Sequence, residues 1–126
     1  MKLSAYLPLT VFFIITGCSD YKKEKNDIIN DSIIQYIKLG GDRKLSYEKR
    51  VYHNEKVLRI LLQQDNDSLN RERLFDVGWN YFYMHKMSDL IVISRIIYEK
   101  SVEKRDEYHI AKTYRFYGLY YEKKIT

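Results

Sequence analysis

The sequence predicts an all-α protein, with antiparallel helical hairpins stacked as a short array of about five helices after an N-terminal signal segment. Three observations carry this expectation. First, a bulky residue, a glycine and a tyrosine in the stretch 74–83 return at the same spacing in 114–121, so that Gly118 follows Gly78, and Tyr121 follows Tyr81, by forty residues. Second, the only proline is Pro8, and from residue 18 onward glycine occurs only at positions 40, 41, 78 and 118. A chain with so few breakers, rich in Leu, Ile, Tyr, Glu and Lys, favours helix throughout. Third, apolar residues recur at steps of three and four in segment after segment.

The N-terminus is read apart from this array. Lys2 supplies a positive charge, residues 5–15 are almost uninterruptedly apolar, and Ile15, Thr16, Gly17 and Cys18 follow. The run is shorter than the roughly 20 apolar residues of a spanning helix and reads as a secretory signal. Cys18 is the only cysteine of the 126 residues, so no disulfide can form within the chain. The Ile-Thr-Gly-Cys order resembles the lipobox of bacterial lipoproteins. That resemblance implies cleavage after residue 17 and lipidation of Cys18, with acyl chains worth about 0.8 kcal/mol per buried methylene fixing the protein to a membrane. An ordinary cleaved signal and an uncleaved anchor are the alternatives. Ser19 directly after the cysteine favours the outer membrane over the inner one.

Residues 18–26 are polar and charged without apolar period, and are expected to form a lipidated tether to a domain spanning 27–126. The run Lys22, Lys23, Glu24, Lys25 could touch anionic head groups. A first helix is predicted over 27–39, with Ile28, Ile29, Ile33, Ile34, Tyr36 and Ile37 at helical spacing, and Gly40 and Gly41 as a stop that tolerates positive φ. A second, from Lys44 or Ser46 to Gln64, carries Tyr47, Val51, Leu58 and Leu62. The tetrad 65–68 lacks the glycine and the distant Glu of a calcium loop and reads as a turn with an N-cap at Asp67 or Ser68. A third helix spans 69–85. A fourth, 89–104, is capped by Ser88 or Asp89 and lined by Leu90, Ile93, Ile96 and Ile97; its start could pass for a strand, but no partner strand is evident. Asp106 caps a fifth helix over 107–124.

A bulky residue, glycine and tyrosine on one helix, then a polar turn and a second helix reading Tyr98, Glu99, Lys100, Ser101, Val102, Glu103, resembles the tetratricopeptide repeat in its roughly forty-residue form. The likeness is clearest over 68–122. It implies packing roles for Leu74, Gly78 and Tyr81 and, in the second copy, for Tyr114, Gly118 and Tyr121. Ala111 and Ser101 stand where the family has small residues. The pattern departs at Leu74 and Tyr114, where tryptophan is common, and at Leu90, where a small residue is usual. The resemblance implies a scaffold that binds a protein or peptide.

The residues themselves offer little chemistry. His53, His85 and His109 are far apart in sequence, and no zinc, nucleophile-elbow or phosphate-loop motif occurs. The expectation is therefore no enzyme, no metal and no cofactor. A formal charge of +5 suggests nucleic acid, but the charges alternate in sign, as in Glu103, Lys104, Arg105, Asp106, Glu107, and the signal leads away from the genome. Thirteen tyrosines suggest an aromatic surface, with Trp79, Tyr83 and Tyr120 off the glycine-tyrosine face as candidate binding residues. Aromatic residues surround the last helix, which points to a lost continuation or to a face completed by a partner or by a second copy of the chain. The function expected is a membrane-anchored interaction scaffold at the cell envelope. The alternative is the N-terminal remnant of a longer sensor or regulator with no activity of its own.

Overall fold

The computed structural model describes the backbone of residues 7–126 and the side chains from residue 19 onward. The signal residues 1–6 and the thiol of Cys18 lie outside that description. Five helices follow one another: α1 (Leu7–Gly41), α2 (Tyr47–Leu62), α3 (Ser68–Tyr83), α4 (Met87–Glu103) and α5 (Glu107–Ile125). No strand occurs among the described residues, and no described helix is long and apolar enough to cross a membrane. The chain forms two compact units, Met1–Ser32 and Ile33–Thr126.

The first unit, where described, is helix. Residues 19–26, expected as an irregular tether, continue α1 with their side chains exposed. Lys and Glu are good helix formers and no glycine or proline stands between Gly17 and Gly40, so nothing local stops the helix.

The second unit is a short array of antiparallel helices, in which α2 packs on α3, α3 on α4 and α4 on α5, while α3 also meets α5. Its core is Ile33, Val57, Leu61, Leu74, Phe75, Val77, Tyr81, Leu90, Ile93, Ile97 and Phe116, all nearly inaccessible. Burial of Leu90 and Ile93 with Val92 exposed gives α4 a helical rather than alternating pattern. Burial also pushes the Tyr81 hydroxyl up to about 12, aided by Asp89 and Glu55.

Caps fix the helix starts. Ser46 accepts from the Lys49 amide, Asp67 from Asn70 and Asp106 from His109. Helix α4 differs from expectation: its cap is Lys86, without a side-chain bond, and Ser88 and Asp89 already lie in the first turn. The cause is the preceding turn. His85 takes φ 59° and the Lys86 amide reaches back to the Tyr81 carbonyl at 2.9 Å, so α3 closes and α4 opens without a linker. Arg105 repeats this at φ 53°, with the Asp106 amide on Ser101 at 2.9 Å.

Gly40 and Gly41 also act otherwise than expected. Both belong to α1 and neither has positive φ. They are small because two amides need the space: a Cβ on Gly40 would strike the Asn54 side chain, and one on Gly41 would stand 2.8 Å from Asn80 Oδ1. Asn54 donates to the Gly40 carbonyl at 3.1 Å and the Arg50 carbonyl at 3.0 Å, while Asn80 donates to the Ile37 carbonyl at 3.0 Å and to Asn54 Oδ1 at 2.9 Å. This pair, Asn54 buried and Asn80 half-buried, satisfies carbonyls at the end of α1 and ties it to α2 and α3.

Candidate binding groove

Within the second unit, the end of α1 and the first half of α3 enclose an open groove of about 420 Å³. Helix α1 supplies Ile34, Ile37 and Lys38, and α3 supplies Leu69, Glu72, Arg73 and Asp76. Each set follows steps of three and four, so each is one face of its helix. Ile34 and Leu69 are more than half exposed, an apolar floor that water reaches. The rim is charged with both signs. Such a volume lies in the range of about 300–1,000 Å³ typical of ligand sites, and apolar walls with few polar groups suit side chains of a partner.

Glu72 joins the groove to a chain of ion pairs running across α3 and α5. Its carboxylate accepts from Lys112 Nζ at 2.5 and 2.7 Å and lies 2.9 Å from His109 Nε2. The other ring nitrogen of the buried His109 faces Asp106, which in turn accepts from Arg71 at 2.9 and 3.0 Å. Arg71 also donates to the carbonyl and side-chain oxygens of Asn66, at 3.0 and 2.8 Å. Lys112 further sits 4.6 Å above the Phe75 ring.

The fields differ along the groove. Burial opposes ionisation of Glu72, but the bonds from Lys112 and His109 outweigh it and hold the carboxyl below its ordinary value. Asp106 is likewise held down, its own desolvation being overcome by the His109 amide and ring and by Arg71. Asp76 goes the other way, raised by desolvation against the groove wall and then by the nearby Glu72 charge, although its side chain still reaches solvent. The groove thus holds one firmly ionised carboxylate and one that keeps its proton more readily.

The residues singled out from the sequence are distributed as follows. Leu74, Gly78 and Tyr81 are buried, and Gly78 lets Phe116 of α5 approach so closely that a Cβ there would stand 2.5 Å from Cε2 of the ring. The second copy does not repeat this. Tyr114 and Tyr121 are mostly exposed, and a Cβ on Gly118 would meet nothing within 4 Å. The spacing is shared, but among the described residues the outer face of α5 meets only the edge of α4, through Tyr98 at 6.3 Å from the Tyr114 ring.

Trp79 and Tyr83 come together, their rings stacked at 6.0 Å, with Arg115 4.9 Å from the indole and Arg43 5.8 Å from the phenol. Trp79 is less available than expected, because Phe116 packs edge-on against it at 5.0 Å. Tyr120 stands apart from both, beside Tyr121 and near Met87 and Ser88 of α4. Neither the groove nor the ion-pair chain was singled out in the sequence. Glu72 and Lys112 nevertheless lie at the same forty-residue offset as the two glycines, which places equivalent positions of α3 and α5 side by side.

Among the described residues no group of three His, Cys, Asp or Glu side chains could hold a metal ion. Compared with protein-family models, with curated proteins and with solved structures, the chain matches none.

Proposed function

We propose that the protein is a membrane-anchored lipoprotein whose tetratricopeptide-like helices hold a protein or peptide partner at the cell envelope. The observation that carries this reading is the groove between α1 and α3, with an exposed apolar floor at Ile34 and Leu69 and a rim of Lys38, Glu72 and Asp76. Apolar side chains of the partner would enter between the isoleucines and Leu69, and its charged flank would meet the rim. The lipobox-like run ending in Cys18 supports the anchor and the signal supports the compartment. Surface complementarity is the whole mechanism, with lipid fixing the place and the groove fixing the partner.

The test uses the full chain in bacterial cells, with a photo-crosslinking amino acid at Leu69 and a clickable fatty acid in the medium. A discrete adduct that disappears with Ile34→Glu, and an acyl label that disappears with Cys18→Ser, are the expected results. Adducts indifferent to Ile34→Glu would remove the groove from the reading, and an unlabelled wild-type chain would remove the anchor.

A further inference from the structure

The side of α5 turned away from the core carries a pattern that the groove does not use. Ala111, Tyr114, Gly118, Tyr121 and Ile125 follow one another at steps of three and four, a heptad stripe in which small and large residues alternate from Ala111 to Tyr121. All five are exposed, Tyr114 at 60%, Tyr121 at 55% and Ile125 at 86%, and the space above Gly118 is empty to 4 Å. The stripe lies opposite the buried His109, Thr113 and Phe116, and α4 reaches only its edge, where the Tyr98 ring stands 6.3 Å from that of Tyr114. Two rings stand up from this face beside two bare positions.

We propose that α5 docks antiparallel on α5 of a second copy of this chain, with Tyr114 seated over the partner's Gly118 and Tyr121 over the partner's Ala111. The stripe fits itself in one direction only. Ala111 and Gly118 are seven residues apart, and so are Tyr114 and Tyr121, so a single reversed register fills all four bare positions of the pair at once. Running the helices in parallel would set ring against ring and glycine against glycine, leaving a void at each small residue.

Charge selects the same direction. Helix α5 has Glu107 in its first turn and Lys123 and Lys124 in its last. Lys123 is held by His85 at 2.7 Å and over Phe82 of its own chain, so reversal brings each Glu107 toward the partner's Lys124 and opposes the two helix dipoles, whereas parallel docking would align them. Arg115, the cation nearest the two-fold axis, is already drawn over Trp79 of its own chain at 4.9 Å, away from its copy. Ridges carrying glycine and alanine let the axes approach to roughly 8 Å, the close limit of helix packing. A 19-residue helix offers roughly 28 Å of such contact. The surface is separate from the groove of α1 and α3, so the two readings stand or fall independently, and pairing would present two grooves together.

The experiment is sedimentation equilibrium of the full chain in a density-matched mild detergent, with far-ultraviolet circular dichroism as the check on folding. The wild type is expected at twice the mass of its single chain as measured by mass spectrometry of the same sample. Gly118→Tyr, whose Cβ would meet nothing within 4 Å in its own chain, should give a monomer by filling the hole. Tyr114→Ala should weaken the dimer by at least roughly tenfold, since two ring contacts are lost per pair. Combining Tyr114→Ala with Gly118→Tyr exchanges knob and hole and should restore the dimer, a rescue that general stickiness would not give. Gly118→Ala should leave the pair intact, because Ala111 already serves as a hole. A wild type that stays monomeric overturns the proposal, whether or not another protein occupies this face. So does a dimer indifferent to Gly118→Tyr, or a helical double variant that remains monomeric.

Discussion

Adding one methyl group at Gly78 and one at Gly118 should move stability in opposite directions, although the two glycines occupy the same place in the repeated pattern. At Gly78 the new carbon would lie 2.5 Å from Phe116 Cε2 and 2.8 Å from Cζ. Carbon atoms prefer about 3.5–4.0 Å, so the ring must retreat by roughly 1 Å. It has nowhere to go, being 1% exposed and held between Phe75 at 5.2 Å and Trp79 at 5.0 Å. Overpacking of this kind costs about 1–3 kcal/mol, and a ring enclosed on both sides belongs in the upper half. Against it stands the helix preference for alanine, about 0.8–1.0 kcal/mol. The net expectation for Gly78→Ala is a loss of about 1–2 kcal/mol. At Gly118 only the favourable part survives, a gain of about 0.8–1.0 kcal/mol. Urea unfolding of residues 19–126, followed by far-ultraviolet circular dichroism at one low protein concentration, should place the two variants on either side of wild type with unchanged m-values. If both shift the midpoint in the same direction, the close approach of α5 to α3 at Gly78 is wrong.

The other predictions concern the turns, the polar pair and pH. Arg105→Gly should raise stability by about 1 kcal/mol, because the left-handed φ that closes α4 strains any residue with a Cβ; a lowered thermal midpoint would contradict the turn. Asn54→Ala should cost about 1–3 kcal/mol in urea unfolding by removing one of two partners from the Asn80 amide, which keeps the Ile37 carbonyl, and from the Gly40 carbonyl, which keeps Arg50 Nε at 3.2 Å. In that background Gly40→Ala should become markedly cheaper than in wild type, a coupling that a double-mutant cycle would read. Glu72 and Asp106 have folded pKa values held below their ordinary ones, so the stability they contribute is fully present above the ordinary carboxylate range. It drains away as pH falls through those depressed values. Asp76, raised, works in the opposite sense: its burden at neutral pH is relieved as it takes up a proton. Urea midpoints measured from neutral pH into the carboxylate range should therefore fall, and fall less steeply for Glu72→Gln; equal slopes would mean that the ion-pair chain does not form.

What the sequence alone determined is everything encoded within a turn or two of chain. Five helices, the caps at Asp67 and Asp106, and the helical reading of the start of α4 follow from spacing and from side chains that bond amides three residues on, whereas the cap at Ser46 was not read from the sequence. Even there, signals failed where a distant neighbour held the deciding vote. The glycines ending α1 mark room for Asn54 and Asn80 from two other helices rather than a left-handed turn, and Lys86 replaced Ser88 and Asp89 as the cap because the end of α3 set where α4 begins.

Only the tertiary structure decided which copy of the repeated pattern is buried. Gly78 and Gly118 are alike in spacing, yet one is pressed by Phe116 and the other is open, because burial depends on which helix arrives from elsewhere in the chain. The same holds for the groove and for the chain from Arg71 through His109 to Lys112. The members of that chain are 35 to 40 residues apart where they cross between α3 and the start of α5, and only packing brings them within hydrogen-bond distance. A helix writes its own faces into its sequence, but the charges and rings that meet across two faces are fixed by how the helices stack.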